Sequence, residues 1–435
     1  MKLAIEFKDQ QYSEKHIDLR YGNDGIGGTE YSILKIAFMY ACNHPEDEVI
    51  AFHYNSNFHI NAEIRSVVLS EDYKELEEEK PDILLTNAYL RDDIWYSRVS
   101  DNGIRLILLA NNFPSAEKLI QFNKHDCVKR IVFKSGQEAD DYYDDDISYK
   151  EAIIGNMLYP CSKEQRRVAD YKPFVTYMGA LIPAKGFHLL AEQWKNIVKE
   201  VPNAQLHVIG SGQLYNKDEK LGKYGVASES YEAQFIPYLL NSDGSLMDSV
   251  IFHGTMGNEK YDILRQSAVG VPNPSGETET FCNVAVEMQN VGMPVVTIAG
   301  FSFFDVIDDG NSGFLYHSKK QFRDYIIQLL KNRELNQKMG DAAHNFVKKF
   351  YPEEIIVLWE KLFSEVMSDK PAKTAVIHGH LIDNHKIRVI INAFFRKKLG
   401  IKSIRPCNQK KRLKKRIKEF IRKIVRAVKK LTGKK

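Results

Sequence analysis

Long apolar runs are missing from this 435-residue chain: nowhere do the roughly 18 apolar residues that a membrane-crossing helix needs follow one another. Met1 to Phe7 is brief and carries Lys2 and Glu6, so no signal-peptide core is expected there. Cysteine is scarce. The five residues Cys42, Cys127, Cys161, Cys282 and Cys407 are scattered without a C-x-x-C spacing, which speaks against a disulfide framework and a zinc ribbon and fits a reducing cytosol. No D-x-D pair in strand context offers a metal site; Asp144-Asp145-Asp146 follows Tyr142-Tyr143 in a polar run and reads as a solvated loop. Acid is nearly absent from one end. Residues 396–435 hold 19 Lys/Arg against the single Glu419, leaving 42 basic and 56 acidic residues elsewhere. The tail is strongly cationic on an acidic body, a segregation that suits a polyanionic surface, either membrane or nucleic acid.

What is present is a recurring alternation. Short apolar runs at Leu3 to Phe7, Val49 to His53, Ile83 to Thr86 and Leu106 to Leu109 are each followed by helical spacing, and the pattern restarts with Val175 to Gly179, Leu206 to Ile209, Val250 to Phe252, Val269 to Val271 and Val295 to Ile298. This predicts an α/β chain of two doubly wound domains, with ligands at the carboxyl ends of the strands. Expected boundaries are 1–160, a linker 161–173, a second domain 174–350, a packing helix 351–368, and a linker with basic tail 369–435.

Three motifs carry chemistry. Gly25-Ile26-Gly27-Gly28-Thr29-Glu30 precedes a helical run, and adjacent glycines let backbone N–H groups approach an anion; a plain structural loop is the alternative. Gly179-Ala180-Leu181 and then Lys185-Gly186 stand at a strand's carboxyl end, where Lys185 either neutralises a diphosphate or is a surface lysine. The third is Pro274-Ser275-Gly276-Glu277-Thr278-Glu279-Thr280-Phe281-Cys282-Asn283, continuing to Glu287. Glu279 and Glu287, eight positions apart, can meet two parts of one ligand, and the amides of Phe281, Cys282 and Asn283 at a helix start suit a phosphate. Carboxylates accept hydrogen bonds from sugar hydroxyls.

At this point the chain resembles the retaining GT-B glycosyltransferases of family 4, which include bacterial polysaccharide and glycolipid sugar transferases. The resemblance implies two facing Rossmann-like domains around a cleft. It makes Glu279 the acid at the donor sugar, Glu287 the acid at the ribose and Lys185 the phosphate lysine. It likewise gives Gly27, Gly28, Gly179, Phe281, Cys282 and Asn283 to donor binding, and the Asp308 to Leu315 run to a structural turn. The implied substrate is a UDP-, GDP- or ADP-sugar, with no metal or other cofactor. Three departures stand out: Ala180 where the family has Arg, Thr280 where Gly is frequent, and Asn111-Asn112 where a His is often found. Acceptor choice is expected to reside in the N-terminal domain, with Asn111, Asn112 and the loop around Asp24 as candidates. The departures also keep a second reading open, a GT-B-fold partner subunit without turnover.

In the tail, Leu413, Ile417, Phe420, Ile421, Ile424, Val425, Val428 and Leu431 recur at helical spacing among Lys and Arg. Such an amphipathic helix is expected to lie on anionic lipid, with a protein partner or nucleic acid as alternatives. The expected location is the cytoplasmic face of a membrane, with a glycan or lipid-linked acceptor and a homo-oligomer or partner subunit left open; nucleic acid is not expected, because the body is acidic.

Overall fold

The computed structural model describes residues 1–9, 15–20, 28–142, 145–277 and 279–372. Nine strands fall in the first half: β1 (Lys2–Glu6), β2 (Lys15–His16), β3 (Glu48–His53), β4 (Phe58–His59), β5 (Arg65–Val68), β6 (Ile83–Asn87), β7 (Arg105–Ala110), β8 (Val128–Phe133) and β9 (Glu151–Ile153). Six follow: β10 (Lys172–Met178), β11 (Gln205–Ile209), β12 (Val250–Gly254), β13 (Ser267–Pro272), β14 (Val295–Ile298) and β15 (Gly313–Tyr316). The first sheet is ordered β5-β3-β1-β6-β7-β8-β9, the second β12-β11-β10-β13-β14-β15, and β2 pairs with β4 apart from both.

Every strand pair recorded in the two large sheets is parallel. Near-continuous apolar strands such as Ile83–Asn87, buried at all five positions, are what a sheet covered by helices on both faces requires. In each sheet the first strand is central. Strand order therefore reverses between β1 and β6 and again between β10 and β13, and a doubly wound sheet opens a crevice for ligands at such a reversal.

All nine expected runs are strands. Six further strands, β2, β4, β5, β8, β9 and β15, are not among those runs: in β8, Lys129 and Arg130 interrupt the apolar pattern, although Arg130 is only 5% exposed, its guanidinium donating to the Lys370 carbonyl. β15 lies within the run read as a structural turn, whose Asp308 and Ser312 do hydrogen-bond each other's backbone.

The expected packing helix is Pro352–Met367. It returns to the first domain, where Phe363 packs edge-on against Tyr40 at 5.4 Å between ring centroids, so one apolar core runs from Leu3 and Ile33 through to Trp359 and Val366. The tail 396–435 and its amphipathic pattern lie outside the described residues, as do Gly27 and the loop around Asp24.

Candidate active site

Two close backbone approaches shape the carboxyl end of the second sheet. Gly210, at φ +137°, lies so near the end of β10 that a Cβ there would meet the Gly179 carbonyl oxygen at 1.9 Å. Gly186, at φ +70°, brings the turn carrying Lys185 against the loop after β13, where a Cβ would meet the Ser275 nitrogen at 2.5 Å. Ser275 hydroxyl donates to the Ala184 carbonyl and so ties the two loops together.

That closure places Lys185 on Glu279, and their charged ends form an ion pair. Asn273 Nδ2 adds a bond of 2.7 Å to the same Glu279 oxygen, and the Asn273 Oδ1 accepts from the Ser275 hydroxyl at 2.9 Å and the Gly276 N–H at 3.2 Å. Asn273 holds this pose at φ 31°, a left-handed conformation that asparagine tolerates better than most residues. Burial pulls the Lys185 ammonium down, but the Glu279 carboxylate outweighs it and holds the lysine above its ordinary value. The side chains are 16% and 12% exposed, which leaves the pair reachable.

The helix Asn283–Asn290 begins directly beyond, with Cys282 preceding it at φ 62°. Among the described residues no backbone or side-chain acceptor meets the N–H groups of Phe281, Cys282 or Asn283, the orphan donors of a helix start. The Phe281 ring is buried, at 5.0 Å and nearly perpendicular to Phe350, which anchors this start. One turn along, Glu287 is held apart from Glu279: its Oε1 accepts from Tyr261 at 2.9 Å and pairs with Lys260 at 2.5 Å. No motif announces Lys260 or Tyr261, which reach Glu287 only through folding.

The carboxyl ends of the two sheets meet at Thr280, whose hydroxyl donates to the Asn111 carbonyl at 3.2 Å. Two of the departures from the family pattern thus contact each other across the domains. Asn111 Nδ2 in turn donates to Asn87 Oδ1 at 2.6 Å, while Asn87 Nδ2, on a residue only 2% exposed, has no acceptor among the described residues. Asn156 donates to Asn283 at 3.0 Å. Asn112 is exposed, and no contact of its side chain joins it to this group. Ala180, 1% exposed, is packed inward and leaves no cation where the family has Arg. Gly28 is the exposed first residue of the helix Gly28–Asn43, and no described protein atom lies within 4 Å of where a Cβ would stand.

Residues 161–346 match the family described as Glycosyl transferases group 1. Over that stretch the chain is similar to this family. The chain is 24% identical over 204 residues to an uncharacterized glycosyltransferase of Methanocaldococcus jannaschii, covering 45% of this chain and 49% of that protein. It is 24% identical over 192 residues to the capsular polysaccharide biosynthesis glycosyltransferase CapM of Staphylococcus aureus, covering 44% of each. The chain thus spans about half the length of these curated relatives. In three dimensions it is similar to the Anabaena protein HepE in complex with UDP, with a TM-score of 0.61 at 14% identity over 84% of this chain and 100% of that one. The sucrose-phosphate synthase of Thermosynechococcus elongatus gives 0.61 at 15% over 85% and 99%. The architecture is GT-B, two parallel-sheet α/β domains, with the stretch similar to the group 1 family in the second.

Proposed function

We propose that the protein is a retaining, metal-independent glycosyltransferase that moves a hexosyl group from a nucleotide sugar to a glycan or lipid-linked acceptor in cell-surface polysaccharide synthesis. The observation that carries this is the Lys185–Glu279–Asn273 cluster beside three amides at a helix start that meet no acceptor among the described residues, facing Asn111 of the first domain. The donor diphosphate takes the Phe281 to Asn283 amides and Lys185, which exchanges Glu279 for phosphate. Glu279 is thereby released to the sugar hydroxyls, and Glu287 holds the ribose. As the glycosidic bond to the leaving phosphate breaks, negative charge develops on that oxygen, where the preorganised donors stabilise it. The leaving oxygen takes the acceptor proton on the same face, which retains configuration. UDP is the first nucleotide to test, because HepE is described bound to it, and the name of CapM supports polysaccharide as the product class.

The tail 396–435 is proposed to bind anionic lipid at the cytoplasmic face, each basic residue contributing about 1 kcal/mol near the surface. A second reading, a GT-B-fold partner subunit without turnover, rests on the buried Ala180.

The experiment is nucleotide release from UDP-, GDP- and ADP-sugars with detergent-solubilised lipid from the source cells, using the full chain and one ending at residue 395. Acceptor-dependent release reduced about 10²- to 10³-fold by Glu279→Ala is expected. Nucleotide-sugar binding without release under any acceptor would favour the partner subunit. Equal liposome binding by the shortened chain would refute the lipid role of the tail.

A further inference from the structure

We propose that the carboxyl end of the first sheet holds the acceptor by a phosphate group carried on an apolar chain, with the phosphate seated between Lys8 and Lys118 beside Tyr89. This rests on the glycosyl-transfer reading and names the substrate class of that site. Lys8 follows β1 and Tyr89 follows β6, so the two flank the point where the strand order of the first sheet reverses. Lys8 Nζ is 4.4 Å and Lys118 Nζ 5.8 Å from the centroid of the Tyr89 ring. Lys118 is fixed there by a bond of 2.6 Å to the Ala88 carbonyl.

Among the described residues neither cation has an ion-pair partner. The nearest acids are committed: Glu6 is buried against Arg91 at 2.7 Å and bonded by Tyr54, and Glu30 accepts from the Tyr89 hydroxyl at 3.4 Å. Burial, and then Arg91, lower the Lys8 ammonium; burial, and then Lys8, lower that of Lys118. Two half-buried ammonium groups that repel each other are stabilised by an anion between them, and a phosphate oxygen makes charge-assisted hydrogen bonds to both.

The position suits an acceptor. Lys118 bonds Ala88, the Ala88 N–H bonds the Leu109 carbonyl at 2.9 Å, and β7 leads within two residues to Asn111, which meets Thr280 beside Glu279. Between them the buried amide donor of Asn87 meets no acceptor among the described residues.

Three apolar side chains on the two neighbouring helices and the turn before them are exposed, beside the charged Asp93 and Lys124: Leu90, Ile94 and Ile120 are 42%, 57% and 50% exposed. Ile94 and Ile120 lie on the helices Asp93–Asp101 and Ala116–Lys124, joined by Lys124 to Asp93 at 3.6 Å and by Gln121 to the Arg91 backbone. A water-soluble phosphate ester would leave these three side chains bare. A chain of hydrocarbon attached to the phosphate covers them, and the lysines fix which end points inward.

The test is calorimetric titration of the full chain, saturated with whichever of UDP, GDP or ADP it binds, with dodecyl phosphate in neutral detergent and with glycerol phosphate. Dodecyl phosphate is expected to bind at least about tenfold more tightly than glycerol phosphate. Lys8→Gln and Lys118→Gln should each weaken it about tenfold, corresponding to ~1.4 kcal/mol, with nucleotide affinity unaltered, and Lys118→Arg should restore it. Because the basic tail is untouched in these variants, binding through the tail would show as unchanged affinity and would overturn the proposal. So would the absence of alkyl phosphate binding in nucleotide-loaded protein, or equal affinity for the two esters. Circular dichroism and melting of each variant separate loss of the seat from loss of fold. If no nucleotide binds while dodecyl phosphate still responds to Lys8 and Lys118, the donor reading fails and the phosphate seat stands.

Discussion

At the scale of single residues, the molecule spends stability on buried cations. Lys35, 2% exposed on the helix Gly28–Asn43, has no hydrogen-bond partner among the described residues and rests its ammonium 3.0 Å from the centroid of the Tyr159 ring. Burial lowers its pKa to about 7, and Lys134, also buried, falls to about 7 for the same reason. The sign follows from proton counting. Between pH 7 and the ordinary lysine value the unfolded chain binds more protons than the folded one, so stability rises with pH in that window, by up to about 1.4 kcal/mol per pH unit for each lysine. Melting temperatures measured from pH 7 to 9 should therefore climb, and Lys35→Met should melt higher at pH 7 and climb less. A Lys35→Met protein whose melting follows the same slope as the parent would show that Lys35 keeps its proton and that the Tyr159 ring compensates its burial.

At the scale of elements, the site depends on two loops that touch through backbone rather than side chains. Gly186→Ala puts a Cβ into the Ser275 nitrogen and forces a left-handed alanine, a conformation costing ~1–2 kcal/mol before the clash is counted. The loops must separate, which draws Lys185 off Glu279, so nucleotide affinity should fall about tenfold or more together with stability. Gly28→Ala, where no described protein atom lies within 4 Å of the added atom, should leave melting unchanged. Calorimetry and thermal melting of both variants check this, and nucleotide affinity equal to the parent in Gly186→Ala would refute the claim that this contact positions Lys185. These contacts explain what could be read beforehand. Strands whose apolar runs are uninterrupted, and a motif whose groups lie within a dozen residues, are local patterns, and Glu279 with its helix start follows from them. Asn273 shares that local stretch, but its left-handed turn is not encoded by any period. Lys260, Tyr261, Asn87, Lys8 and Lys118 join the site only because parallel strands distant in sequence end side by side. Arg130 hid β8 because a charge on a strand normally means solvent, whereas here the Lys370 carbonyl receives it.

For the whole molecule, the relation between the two domains is set by few polar contacts beside one long apolar seam. Asp305 of the second domain reaches across to the helix Gly136–Asp140, where its carboxylate accepts from the Gly136 N–H at 2.9 Å and the Gln137 N–H at 3.4 Å. It acts as an acid at the positive end of a helix of the other domain, a contact that only this arrangement of domains supplies. Burial raises the Asp305 carboxyl above its ordinary value, so the ion is held at a cost that these two bonds offset in part. Thr280 with Asn111, beside the proposed reaction centre, and Asn156 with Asn283 are further polar contacts between the domains. The seam of Tyr40 and Phe363 ties the helix Pro352–Met367 to the first domain whichever way the cleft moves, whereas at Asp305 opening costs hydrogen bonds. Asp305→Ala should therefore leave each domain folded but increase the radius of gyration in small-angle scattering of the nucleotide-free protein. An open cleft admits water, the competing acceptor, so the same variant should release more free sugar from the donor per transfer event. Scattering and product ratio identical to the parent would mean that Asp305 merely caps a helix. A wider particle with more hydrolysis would make this cross-domain carboxylate the latch that keeps transfer from becoming hydrolysis.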